Sequence, residues 1–237
     1  MKKLTVTFLM VCLALKALAV EVPKQGFGFQ IGWAQPIMRL NTDESKNKLS
    51  NTVKLNGVKV GVVYDGSFIA GFGSTIALNY TFAASHTKWA KVNPDQIGLF
   101  PKQQDKFLYH ELELVVDWQY KFEVAKETYI ILYTGPTIQC GLAYNQKRFR
   151  DDGISDREKI IDMNHYTTDD PDAVYKRINV TWGVGAGFQY QRYFLRGGYD
   201  FGLIVPYKNS DFINGNHTRG RLDQWSIKIG AYLWYKD

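Results

Sequence analysis

Gly183, Gly185 and Gly187 stand two apart in "NVTWGVGAGFQYQ". Glycines this dense can cradle a phosphate, or they can form the small face of a strand. A dinucleotide fingerprint needs a tight turn and a helix start after its first glycine, with a two-residue gap before its last. Here Ile178, Val180, Trp182, Val184, Phe188 and Tyr190 alternate straight through the glycines, so these glycines belong to a strand. Glu111 and Glu113 share one face of another alternating segment. Two such carboxylates can act as acid and base, although no sugar-binding cleft accompanies them and they fit a charge network better. His86, His165 and His217 fall in polar stretches and His110 at a strand rim. Ser85 and His86 are chain neighbours, which does not make a convergent triad. The acidic run with Asp151, Asp152, Asp156 and Asp169 to Asp172 lacks the spacing and distal Glu of a calcium loop. No HExxH or CxxC zinc pattern occurs. Neither a cofactor nor a metal is expected.

Residues 1–19 have the make-up of a secretory signal: Lys2 and Lys3, an apolar run from Leu4 to Leu15, then Ala17-Leu18-Ala19. The run is too short to span a bilayer as a helix. The formal charge of +6 falls to +3 once Lys2, Lys3 and Lys16 go, so the basicity does not point to nucleic acid. Only Cys140 follows the signal, which leaves an exported domain with no internal disulfide and a need for another source of stability. Residues 20–237 show no linker or repeat and read as one domain. The sequons at Asn79, Asn179 and Asn216 are discounted, because the first two lie within strands.

The elements that must position these residues are eight segments with a period of two. In the first, Phe27, Phe29, Ile31 and Trp33 oppose Gly26, Gly28, Gln30 and Gly32. In the fourth, Leu112, Leu114, Val116, Trp118, Tyr120 and Phe122 oppose Glu111, Glu113, Asp117, Gln119 and Lys121. A helix would scatter those carboxylates around its axis; a strand keeps them together. Pro136 interrupts the fifth segment and reads as a bulge. Short connections near Asp65-Gly66-Ser67, Ala125-Lys126 and Gln191-Arg192 alternate with long polar ones at 36–54, 83–106, 145–175 and 206–221. Short turns at one end and long loops at the other describe an all-β, eight-stranded antiparallel up-and-down barrel of the transmembrane type.

Alternation alone leaves two such barrels open. A lipocalin-like carrier turns its apolar face inward around a ligand, whereas a membrane barrel turns it outward. The polar face is rich in Gly and poor in the Lys and Glu of a solvated exterior, which suits a narrow lumen. The apolar face ends repeatedly in Trp or Tyr, at Trp33, Tyr64, Tyr80, Trp118, Tyr120, Tyr190, Trp225 and Tyr235, as aromatic girdles do. The membrane barrel is therefore expected, in the outer membrane of a Gram-negative cell. Its lumen would hold Lys59, Glu111, Glu113, Asp117, Lys121, Arg177, Arg196, Asp200 and Lys228. Those charges must pair in a narrow, low-dielectric interior, and eight strands leave room only for side chains. A plugged, non-conducting lumen follows.

Near the C-terminus, "KIGAYLWY" sets Lys228, Gly230, Leu233 and Tyr235 in an order that looks like the terminal strand signal read by the barrel-assembly machinery, with Lys236 and Asp237 as an added tail. With "YHELELVVDWQYKFE", "TYIILYTGPTIQCGLAY" and "INVTWGVGAGFQYQRYFLRGGYDFGL", the chain resembles the PorT-like outer-membrane β-barrel family of Bacteroidetes over most of its mature length. The resemblance implies the porin-like barrel fold and an association, in one member, with type IX secretion. The expected role is that of a non-enzymatic binding, structural or secretion-associated component in contact with outer-membrane lipid. It would act through the four long loops, with Trp89, Phe100 and Tyr166 as exposed anchors. The alternatives are a lipid-modifying barrel enzyme and the lipocalin-like carrier.

Overall fold

The structure, a computed structural model, describes residues 25–42, 50–69, 71–88, 90–91, 102–151, 158–166, 175–205 and 218–236. The expected signal segment lies outside these residues. The described strands are β1 (Gln25–Thr42), β2 (Ser50–Lys54), β3 (Asn56–Ile69), β4 (Phe72–His86), β5 (Ala90–Lys91), β6 (Lys102–Ala125), β7 (Thr128–Asp151), β8 (Glu158–Asn164), β9 (Ile178–Tyr190), β10 (Tyr193–Gly202) and β11 (Thr218–Lys236).

Eight of them close a ring in the order β1, β3, β4, β6, β7, β9, β10, β11, and β11 returns to pair with β1. Every pairing is antiparallel. The short strands β2, β5 and β8 widen the sheet only at one end, against β1, β6 and β7.

Closure removes sheet edges along the wall, so each strand has one face outside and one inside. The residue types on the two faces are the reverse of a soluble barrel. Phe29, Ile31, Leu78, Leu114, Leu132, Ile227 and Ile229 stand exposed on the outside, while Lys59, Glu111, Glu113, Asp117, Gln139 and Arg196 are buried within. The lipocalin-like arrangement is therefore not the one found. On β4 the exposed apolar positions run from Phe72 to Phe82. At about 3.3 Å per residue and a tilt of about 40°, that span gives a band roughly 25 Å tall.

The turn end also differs from expectation. Asp65-Gly66-Ser67 is strand, and β3 continues to Ile69 before Gly71 turns the chain at φ +86°. Glu127 and Gln191 adopt the left-handed conformation in the other two short turns, at φ 56° and 52°. Pro136 keeps its register with Trp182. The bulge of that strand lies further on, where Glu111 pairs with Gly141 but His110 with Ala143. Pro136 is tolerated because Val116 and Asp117 have no ladder partners opposite it, so no donor is needed there.

The described parts of the expected loops are largely strand. β1 runs on to Thr42, β6 begins at Lys102, β7 ends at Asp151 and β11 begins at Thr218. The sheet thus rises past the apolar band in two ribbons, β2–β1–β11 and β6–β7–β8.

Candidate functional site

The inward positions of the wall hold a connected set of polar side chains. Lys59 of β3 and Glu113 of β6 meet with Nζ 2.6 Å from Oε2, both side chains 1% exposed. Gln224 of β11 reaches across and donates to Glu113 at 2.7 Å and to Glu111 at 3.2 Å. Tyr109 donates its hydroxyl to Glu111. Gln30 donates to Asn79 at 2.6 Å.

A second group lies nearer the short turns. Asp65 accepts from Gln119 at 2.6 Å, from Tyr232 at 2.5 Å and from Arg196 at 3.1 Å, and Lys121 stands 2.9 Å away. Arg196 also donates to Thr75 at 3.0 Å and to Gln119 at 2.8 Å. Lys121 donates to Gln189 at 3.0 Å. Such multiple bonding is what lets a buried ion pair persist, because desolvation of each charge costs several kcal/mol (order of magnitude) that one contact does not repay. Asp117, Asp200 and Lys228 complete the inward set and interact electrostatically with one another and with Lys59.

Two apolar clusters accompany the charges. Val63, Ala77, Val115, Phe194 and Tyr232 form one, which on β3, β4 and β6 separates the two polar groups, and Met38, Leu55, Ala83, Tyr109, Tyr144, Tyr166 and Leu222 form the other at the long-strand end. His165 lies tilted and Tyr175 edge-on against Tyr144 in that outer cluster, with ring centroids 4.8 and 5.2 Å away.

The lumen glycines now have a physical reason. A Cβ on Gly185 would lie 2.2 Å from the Tyr133 ring, and one on Gly230 would lie 2.2 Å from the Phe194 ring. Large side chains lie flat across a neighbouring strand, and only glycine leaves the space.

Of the nine lumen charges expected from sequence, eight point inward. Arg177 stands at the mouth instead: it precedes β9, is exposed, donates to the Leu142 carbonyl at 3.3 Å, covers the Tyr166 ring at 5.8 Å and lines a cavity there with Glu111, Gln139 and Asn179. Its carbonyl still accepts from the Gly141 amide of the neighbouring strand at 2.7 Å. Tyr166 is likewise no exposed anchor; it is 3% exposed and packs in the outer cluster. Trp89 and Phe100 lie outside the described residues.

Trp33, Tyr64, Tyr190 and Trp225 stand exposed near the ends of their apolar runs. Trp118 is exposed within its run, 5.8 Å from Trp182, and Tyr80 shares a 2.5 Å hydrogen bond with His110 Nδ1. Tyr120 packs on Phe72 and Phe122, at 5.0 and 4.5 Å. In the terminal strand Lys228 and Gly230 face the lumen, and a bulge at Leu233 leaves it 68% exposed. Tyr235 pairs with Gly26, its side chain lying outside the described set.

Sequence reasoning missed Asp65 and Asp223. Asp65 is two and four residues on from Val63 and Gly61 and so shares their inward phase; its turn-like neighbours hid this. Asp223 clamps Arg39 and Arg221, 3.0 and 2.8 Å away, on the outer face of the β1–β11 ribbon. Among the described residues no cluster of His, Cys, Asp and Glu is arranged for a metal ion.

No family model and no characterised protein matches the sequence. Among solved structures the chain is similar to Ail, the attachment invasion locus protein of Yersinia pestis, at 12% identity and a TM-score of 0.37, covering 90% of this chain and 100% of that one. It is also similar to Neisserial surface protein A, at 14% identity and a TM-score of 0.39, covering 86% and 96%. At that level of similarity nothing about ligands or partners transfers, and the barrel stands on its own strand register.

Proposed function

We propose that the chain is an outer-membrane β-barrel protein with a filled, non-conducting lumen, acting as a non-enzymatic binding, structural or secretion-associated component through the ribbons and loops above the membrane. The observation that carries this reading is the inversion of the wall. Ile229 and Leu233 are 60% and 68% exposed outside while Lys59 and Arg196 are 1% and 2% exposed inside. Water on the outer surface would leave the whole apolar band unsatisfied, and lipid removes that cost. Export by segment 1–19 and insertion through the barrel-assembly machinery at the final strand fit the same reading. The sequence pattern shared with PorT-like barrels supports the link to secretion.

Bonds that cross the lumen, Gln224–Glu113 and Arg196–Asp65, support the filled-lumen reading. Two of the described histidines are engaged, His110 with the Tyr80 hydroxyl and His165 with Gln146 Oε1 at 2.9 Å, which favours a structural over a catalytic role for them.

The test is the migration of the protein from isolated outer membranes on a detergent gel with and without boiling, after an alkaline wash. A heat-dependent shift of a protein that stays in the membrane pellet is expected. Release into the wash without a shift would overturn the reading. In planar bilayers the refolded protein is expected to show no steady conductance.

A further inference from the structure

The cavity at the barrel mouth lies among β6, β7 and β9. Glu111, Gln139 and Asn179 line its inner end, Tyr166 and Tyr175 its side, and Lys176 and Arg177 its exposed rim. Asn179 Nδ2 donates to Gln139 Oε1 at 2.6 Å. That bond leaves Gln139 Nε2 and Asn179 Oδ1 unpartnered among the described residues, although the two residues are only 1% and 3% exposed. Turning both amides about would exchange the roles and still leave one donor and one acceptor. Polar groups buried this deeply are bonded in folded proteins, because an unmet one carries its full desolvation cost.

The free volume is about 10 Å³, room for one water-sized group. A hydroxyl matches both the volume and the amides, since one oxygen accepts from Gln139 and donates to Asn179. A carboxylate or an acetamido group is larger. The charges then give the ligand a direction. At the floor stands the Glu111 carboxyl, which accepts from Tyr109 and from Gln224 at 3.2 Å. At the rim Lys176 and Arg177 have no carboxylate partner among the described residues, and the bond that Arg177 makes is to the Leu142 carbonyl. An anion is thus repelled at the inner end and held at the outer one. The Tyr166 and Tyr175 rings beside that path present the kind of face that C–H groups of a sugar ring pack against.

We propose that this cavity binds a sugar acid, with one hydroxyl seated between Gln139 and Asn179 and the carboxylate held by Lys176 and Arg177. It deepens the binding role proposed above and rests on that reading for the side from which the ligand arrives. Guanidinium–carboxylate bonds belong to the strong, charge-assisted class, and the buried amide pair selects the hydroxyl. A free sugar acid and the end unit of an acidic glycan share this chemistry.

The experiment titrates the refolded protein, in a neutral detergent, with galacturonate, galactose, trigalacturonate and the dipeptide Ser-Glu. The parent is expected to bind galacturonate at least roughly tenfold more tightly than galactose. Lys176→Gln with Arg177→Gln is expected to abolish that preference, and Asn179→Leu to weaken both sugars at least roughly tenfold. Lys126→Gln, an exposed lysine at the other end of the barrel, is expected to bind as the parent does. Tighter binding of trigalacturonate than of the monomer assigns the end of a glycan, and equal binding a free sugar acid; both uphold the site. Equal affinity of the parent for galacturonate and galactose, a preference that survives in the rim variant, or equally tight binding of Ser-Glu would each overturn the proposal. So would binding of none of them, which leaves water as the occupant. The gel shift separates the two ideas. A parent that shifts on boiling yet does not bind galacturonate sinks the site alone. A parent without the shift removes the barrel, and with it the cavity its strands enclose. If Asn179→Leu itself loses the shift, the rim variant decides, because its two residues are exposed.

Discussion

Lys59 and Glu113 are 54 residues apart in sequence, yet their side chains meet inside the barrel at 2.6 Å, both 1% exposed. Their strands are not hydrogen-bonded neighbours; β4 runs between them. The pair is therefore a strut across the lumen rather than a rung of one ladder. Removing one end strands a charge where no water can reach it. Glu113→Leu is expected to destabilise the barrel by about 3–5 kcal/mol, read as a lower urea midpoint for loss of the fast-migrating gel form. The double variant Lys59→Met with Glu113→Leu is expected to regain most of that stability. If the single variant unfolds like the parent, the strut is idle.

Gly185 makes a second test, because the space above it belongs to Tyr133. Gly185→Leu overpacks the lumen and is expected to cost about 1–3 kcal/mol. Tyr133→Ala in the same chain should relieve much of that loss, since the two changes share one volume and are not additive. Equal effects of Gly185→Leu with and without Tyr133 would mean that the Gly197 carbonyl, 2.6 Å from the same Cβ, sets the limit rather than the ring.

Outside the membrane band, the Lys159 hydrogen bond holds the Asp162 carboxyl below its ordinary value of 3.8, with Lys147 adding to the effect. A depressed value means that the paired form contributes to the β7–β8 hairpin above the ordinary carboxylate range. The contribution is lost as pH falls through the lower folded value. Carbon-13 titration of Asp162 is expected to show that depressed midpoint, and Lys159→Gln to return it toward 3.8. Amide exchange over residues 158–164 should quicken in the acid limb only. An Asp162 midpoint indifferent to Lys159→Gln would remove the pairing.

How much of this could be read from the sequence follows from what the two faces meet. Inside the apolar band, lipid on one side and packed polar groups on the other impose opposite chemistries at every second residue, so Phe29, Ile31, Glu111 and Glu113 declare their faces. Above the band the outer face turns polar and the contrast with the inside is lost, so Lys106, Lys147 and Arg148 lie in strands that look like loop. Partners across the lumen are also hidden. Arg196 reaches Asp65 over 131 residues, and alternation fixes which way each side chain points but not which strand it will face. The extra residue at Leu142 shifts the phase of β7, a change no periodicity announces. Tyr166 looked like a lone aromatic in polar surroundings, and only the fold supplies the Tyr109–Tyr144 rings it joins.

The unequal strand lengths have one more consequence. β6 and β7 have 24 residues each, and β1 and β11 have 18 and 19, whereas β9 and β10 between them have 13 and 10. Among the described residues the wall thus ends in two crests on opposite sides, separated by saddles. Viewed along the axis from that end, the described wall has a compass bearing: a body resting on both crests is held in one heading, and one resting on a single crest is free to pivot.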